Sequence, residues 1–198
     1  MAEITFTQAL ARRRTVRVFA AAAISLETLG KLIWAAQGIT CAEGKRTAPS
    51  AHGIHPLRLF VAASRVDGLG KGLYEVDRAD LGLANVGRSD VSPALRDAVI
   101  GDAPWVTDAA CIVAICADMA APTREFADQK PYGKRGAQYV FMEAGAAAQN
   151  LHLQAVAENL GCVWVGGFDD DAVAAVLGLE APIKPVILVC VGHPAPEA

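Results

Sequence analysis

The sequence predicts one α+β domain built around a single sheet. Three observations carry that expectation. Strand-like and helix-like segments follow one another without regular alternation, which argues against a doubly wound fold. The run Ala109 to Ala117 is apolar on both faces and reads as a buried central strand. Neither Gly-x-Gly-x-x-Gly nor Gly-x-x-x-x-Gly-Lys-Ser/Thr occurs in the 198 residues, so dinucleotide and P-loop folds lose their main support. A chain of this length fits one domain, 1–198, and buries ~70% of its extended surface.

The elements follow in order. Residues 4–13 read as a short helix. Ser25 can cap a second helix to about Gln37, with Leu26, Leu29, Ile33 and Ala36 on one face and Gly38 as its stop. Residues 41–56 are rich in turn formers and read as a loop. Leu57 to Ala62 and Gly72 to Val76 read as strands. Pro93 to Ile100 is helical and ends at Gly101. A long helix spans about Lys134 to Asn159, closed by Gly161; it is apolar nearly all round and is expected to be buried. Cys162 to Val165 is a strand, Asp169 caps a helix to Leu177, and Val186 to Val191 is the last strand.

Composition excludes several classes. Hydrophobic residues make up 53% and charged residues 20%, the reverse of a disordered chain. The uncharged stretch Ala109–Ala117 is too short to span a bilayer, and Ala144–Ala157 carries Gln149, Asn150, His152 and Gln154. No membrane partner and no signal peptide are expected. A net charge of -3 gives no reason to expect nucleic acid. The five cysteines form no Cys-x-x-Cys pair and mostly sit in apolar runs, which suits small core hydrophobes in a reducing cytoplasm. Arginine outnumbers lysine 12 to 6, and four arginines lie between Arg12 and Arg17.

Four constellations could carry chemistry. In Arg13-Arg14-Thr15-x-Arg17, alternating residues Arg13, Thr15 and Arg17 share one side of an extended segment, and guanidinium forks with a hydroxyl suit a phosphate. The alternative is a solvated basic helix end. Pro49-Ser50-Ala51-His52-Gly53-Ile54-His55 offers a hydroxyl and free backbone donors. Two histidines without a nearby carboxylate make a poor metal set, and no metal is expected. Val165-Gly166-Gly167 at a strand end permits close backbone approach to a flat ligand, or else forms a tight turn into a capped helix. Tyr132 to Tyr139 opens the long helix with polar and aromatic groups, which suit a ligand or a solvated helix start equally. No Ser-His-Asp set and no activated thiol is evident. Phosphate-binding parts without a side-chain catalyst suit an enzyme whose chemistry is done by a bound cofactor.

In this order and spacing, from about Ala9 to His193, the four segments resemble the nitroreductase family of FMN-dependent oxidoreductases. The Arg-Thr-Ala-Pro-Ser-Ala, Gly-Leu-Tyr, Tyr-Gly-Lys-Arg-Gly and Val-Gly-Gly-Phe variants are similar to the branch containing azoline-oxidising peptide dehydrogenases. The resemblance implies a three-layer sandwich, with a mainly antiparallel central sheet between helices, and a homodimer with FMN at the interface. It implies that Arg13, Arg14 and Thr15 hold the phosphate and ribityl chain and that Arg17 reaches toward the ring. Pro49, Ser50 and Ala51 would line the flavin from the partner subunit. Gly166 would turn its N–H toward flavin N5, flanked by Val165 and Gly167. Tyr132 and His52 fall on the substrate side, and Arg135 adds positive charge. Many relatives carry basic residues after the last strand; here Pro194 to Ala198 has none, so Arg13, Arg14 and Arg135 carry more of the phosphate grip. The implied activity is ping-pong transfer from NADH or NADPH through FMN to a small-molecule acceptor, a nitroaromatic, quinone or enone. FMN-dependent oxidation of an organic substrate and non-catalytic flavin binding are the alternatives.

Overall fold

A computed structural model describes residues 4–130 and 135–196. Helix α1 (Phe6–Arg12) begins with a capping box, in which Thr5 accepts from the Gln8 N–H while the Gln8 side chain accepts from the Thr5 N–H. Strand β1 (Ile24–Ser25) leads into α2 (Leu26–Gln37), whose first turn is capped by Ser25 Oγ accepting from Thr28 N. A single 3-10 turn, Ala51–Gly53, interrupts the expected loop. Strand β2 (Leu57–Ala63) follows, then β3 (Val66–Asp67), β4 (Gly72–Val76) and β5 (Leu83–Asn85). Helices α3 (Ser92–Ala98) and α4 (Trp105–Asp108) precede β6 (Cys111–Asp118) and α5 (Ala120–Glu125). Then come α6 (Arg135–Ala157), β7 (Gly161–Val165), α7 (Asp170–Leu177) and β8 (Ile183–Gly192).

The main sheet has six strands in the order β5-β4-β2-β6-β8-β7, and every neighbouring pair is antiparallel. Strand β6 pairs along both edges, with β2 and β8, and a core covers each of its faces, which explains why its sequence carries no polar face. Its residues alternate between two cores. Cys111, Val113, Ile115 and Ala117 join α2 and α6 on one side of the sheet. Ile112, Ala114 and Cys116 join α3, α4 and α7 on the other. The result is the three-layer α+β sandwich that the resemblance implies.

One expectation is corrected. Helix α6 is not buried all round: Ala144, Ala147, Ala148 and Leu151 face the core, but Phe141 and Met142 are 56% and 63% exposed. Apolar content alone misled, because the small residues pack against α2 and leave the larger apolar side chains on the free flank. The short parallel pair β1–β3 and strand β5 were not anticipated; pieces of two or three residues carry too little periodicity to be read.

Candidate active site

After α1 the chain runs extended along the edge of the sheet. Thr15 bridges to Cys162 in parallel, and Val16 N donates to Cys162 O at 3.0 Å. The close approach depends on Gly161, since a Cβ there would lie 2.6 Å from Val16 Cγ1. This strap presents Arg13, Thr15 and Arg17 to one cavity of about 210 Å³, completed by Gln149 and His152 of α6 and Trp164 of β7. The alternation expected for these three residues is therefore realised. Arg14 points elsewhere: its Nη1 donates to the Ala11 and Arg13 carbonyls at 3.0 and 2.8 Å. The Arg17 guanidinium lies 5.3 Å from the Trp105 ring centroid, a cation–π distance.

His152 was not anticipated as a site residue. It is 3% exposed, and its Nε2 donates to the Arg14 carbonyl at 3.1 Å. Burial, and secondarily the Arg13 charge, hold its pKa below the usual histidine range, against the pull of the Arg14 carbonyl. The only signal in the sequence was its spacing from Gln149 at i,i+3 on a helix.

Beyond Trp164, β7 ends at Val165 and the chain turns through Gly166 and Gly167, both exposed. A Cβ at Gly166 would meet nothing within 4 Å. The turn is held from behind, with Ile100 N donating to Gly167 O at 2.9 Å and Asp169 N to Ala98 O at 2.9 Å. Asp169 then caps α7 by accepting from Ala172 N. The glycine pair thus forms a turn into a capped helix and also offers an exposed backbone edge two residues after Trp164, which lines the cavity.

The second group of expected residues lies apart. Ser50 and Ala51 pack on Tyr139, Val140 and Glu143 of α6, and Glu143 is nine residues before His152, roughly 13 Å of helical rise. Arg135 is further away, at the start of α6, where its Nη1 donates to Gln138 Oε1 at 2.8 Å. His52 is exposed, with Nδ1 2.9 Å from Glu125 Oε1 and its ring 4.8 Å from that of Phe126. Pro49 is exposed at the tip of the same loop. Tyr132 lies outside the described residues. Among the described residues, the arginine strap and the pair Ser50–Ala51 line different cavities.

A half-buried polar cluster, with Arg78 on its exposed side, anchors that loop. Ser50 Oγ accepts from His55 N at 2.8 Å. Arg46 donates to the Gln37 and Arg78 carbonyls at 2.6 and 2.7 Å, and Arg78 donates to the His55 carbonyl at 2.6 Å. Non-glycine residues His52 and His55 sit at φ 52° and 49°, a conformation that needs such support. Glu143 is buried, and burial pushes its carboxyl up to about 7 despite the Ser50 hydroxyl and the Arg46 and Arg78 charges. Its Oε1 has no hydrogen-bond partner among the described residues. Nothing in the sequence marked Glu143 beyond a lone acid in an alanine-rich helix.

Four of the five cysteines lie in the core. Burial raises the Cys111 thiol to about 12, and Cys116, Cys162 and Cys190 are also pushed up by burial, so these four are inert core groups. Asn150 is a satisfied amide, donating to Thr47 O at 3.1 Å. No group of three metal-ligating side chains occurs among the described residues. No helix among them is long and apolar enough to cross a membrane.

The nitroreductase family model matches residues 10–193. A protein of Methanocaldococcus jannaschii that bears a provisional nitroreductase name is 31% identical over 191 residues, covering 96% of this chain and 92% of its own. A Ralstonia eutropha crystal structure with a similar provisional name superposes with a TM-score of 0.79 at 23% identity, covering 100% of this chain and 86% of that one. A chain of the Escherichia coli microcin synthetase McbBCD complex superposes at 0.75 with 22% identity, covering 98% and 74%. These two structures speak to the fold. The family match and the archaeal relative speak to descent, and by them the chain belongs to the nitroreductase family of oxidoreductases.

Proposed function

We propose that the chain is an FMN-dependent oxidoreductase that works as a homodimer and passes reducing equivalents from NADH or NADPH to a nitroaromatic, quinone or enone in a ping-pong cycle. The observation that carries this reading is the cavity shared by Arg13, Thr15 and Arg17, with the exposed Gly166–Gly167 edge following its Trp164 wall in the chain. Two guanidiniums and a hydroxyl suit a phosphate. The exposed glycine edge suits a ring that must lie flat against backbone. The FMN phosphate and chain fit these residues, while the cavity of about 210 Å³ falls below the ~300–1,000 Å³ of a complete ligand site. One chain thus offers the phosphate end, and a second surface must complete the site.

The separation of the 49–52 loop from the strap supports a partner subunit as that surface. So do the exposed apolar side chains Phe6, Trp34, Phe141 and Met142, because large apolar groups left in water mark contact surfaces. Bound flavin would supply the hydride transfer. The chain's own groups would hold it: Arg13 and Thr15 at the phosphate, Arg17 toward the ring, and the Gly166 N–H as a fixed dipole near the ring edge. The inert buried thiols leave these contacts without a competing side-chain nucleophile.

The test is direct. Purified protein titrated with FMN should bind it as a dimer in sedimentation, and anaerobic NADH or NADPH should bleach its visible absorbance. A flavin-loaded dimer that neither nucleotide bleaches would refute the reductase reading and favour oxidation of an organic substrate. A chain with no affinity for FMN would refute both.

A further inference from the structure

Within the strap cavity one group has a role that phosphate binding does not use. His152 lines the cavity and is fixed in one tautomer. Its Nε2 faces the Arg14 carbonyl at 3.1 Å, and a carbonyl oxygen only accepts, so Nε2 carries the proton and Nδ1 carries a lone pair. Among the described residues the His152 side chain makes its one hydrogen bond through Nε2, and Nδ1 makes none.

The neighbours on every side leave that lone pair unprotonated. The strap presents the Arg13 charge and the Arg14 carbonyl, α6 presents uncharged Gln149, and β7 presents the Trp164 ring 6.2 Å away. Burial and the nearby guanidinium both disfavour an imidazolium. The cavity therefore mixes guanidiniums that can only donate with one imidazole nitrogen that can only accept. A bare anion satisfies the first and is repelled by the second. A ligand that satisfies both carries an anionic group and, a few bonds away, a hydroxyl.

We propose that His152 is a ligand-binding residue whose Nδ1 accepts a hydrogen bond from a hydroxyl of a phosphorylated polyol chain, while Arg13, Thr15 and Arg17 hold the phosphate. This rests on the reading of the cavity as the phosphate end of an FMN site, and it assigns the ribityl hydroxyls a specific acceptor.

Replacement by phenylalanine removes the Nδ1 acceptor, and with it the Nε2–H that donates to the Arg14 carbonyl, while keeping an aromatic ring of similar size. His152→Phe should weaken FMN binding roughly fivefold to tenfold, the range for one neutral hydrogen bond with its partner left unpaired. Sulfate, which has no hydroxyl, should bind wild type and variant with the same inhibition constant. His152→Gln, which keeps a donor for Arg14 and an acceptor for the ligand, should bind FMN much as the wild type does. A His152→Phe variant that binds FMN like wild type overturns the proposal, as does one that loses sulfate and FMN in equal proportion.

If His152→Phe does not fold, the wild-type protein still decides. With 15N-labelled histidine, FMN should shift the His152 Nδ1 resonance while Nε2 stays protonated. FMN binding without that shift overturns the proposal. Failure of wild type to take FMN at all instead overturns the functional reading on which this rests.

Discussion

Replacing Glu143 by glutamine should abolish one component of the protein's pH-dependent stability. The Glu143 carboxyl is buried on α6, and burial raises its pKa from 4.5 to about 7. Between those values the folded chain keeps a proton that the unfolded chain has released. Stability therefore falls as pH rises through that window, and the penalty is complete above about pH 7. At 1.36 kcal/mol per pH unit, the interval corresponds to ~3 kcal/mol. That is a large share of the ~5–15 kcal/mol typical of a domain. Urea unfolding of wild type and Glu143→Gln at pH 5, 6, 7 and 8 measures the difference, with every other titrating group common to both. The difference should be smallest at pH 5 and should grow by about 2–3 kcal/mol in the variant's favour by pH 8, with unchanged m-values. A wild-type-minus-variant difference that stays level across the series would refute the argument that Glu143 is carried into the core as a neutral acid.

Three further outcomes are expected. Arg13→Ala should weaken FMN binding about 10- to 100-fold, the loss of one charge-assisted contact, without lowering the melting temperature; unchanged flavin affinity would move the phosphate site elsewhere. Gly161→Ala drives a Cβ to 2.6 and 2.7 Å from Val16 Cγ1 and Cβ. It should cost ~1–3 kcal/mol and loosen FMN together, and a variant of wild-type stability would show that the strap is not packed on β7 as described. Asp169→Ala removes the acceptor for Ala172 N and should cost ~1 kcal/mol in chemical denaturation while leaving the FMN dissociation constant within twofold.

Much of the architecture could be read locally. Ala109–Ala117 announced a central strand because both of its faces are covered, and β6 does lie between two cores. Ser25 and Asp169 announced helix starts because a side-chain oxygen caps orphan N–H groups wherever the chain turns into a helix. Arg13, Thr15 and Arg17 announced a common side because extended backbone alternates. Arg14, which the same alternation puts on the opposite side, departs instead from the phosphate role that the resemblance implies. Its guanidinium finds carbonyls at the end of α1, and that competition is set by where the helix stops.

What the sequence determined by itself was everything with a period or a cap: the strand and helix types, the α+β class, the arginine strap and the glycine turn. These depend on neighbours within a few residues, whose geometry the backbone fixes. The tertiary structure alone decided what meets across long separations. It brought His152 against the Arg14 carbonyl, buried Glu143 beside Ser50, turned Phe141 and Met142 outward, and set the 49–52 loop apart from the strap. Those outcomes depend on which faces win burial when the layers pack, and local pattern does not encode that choice.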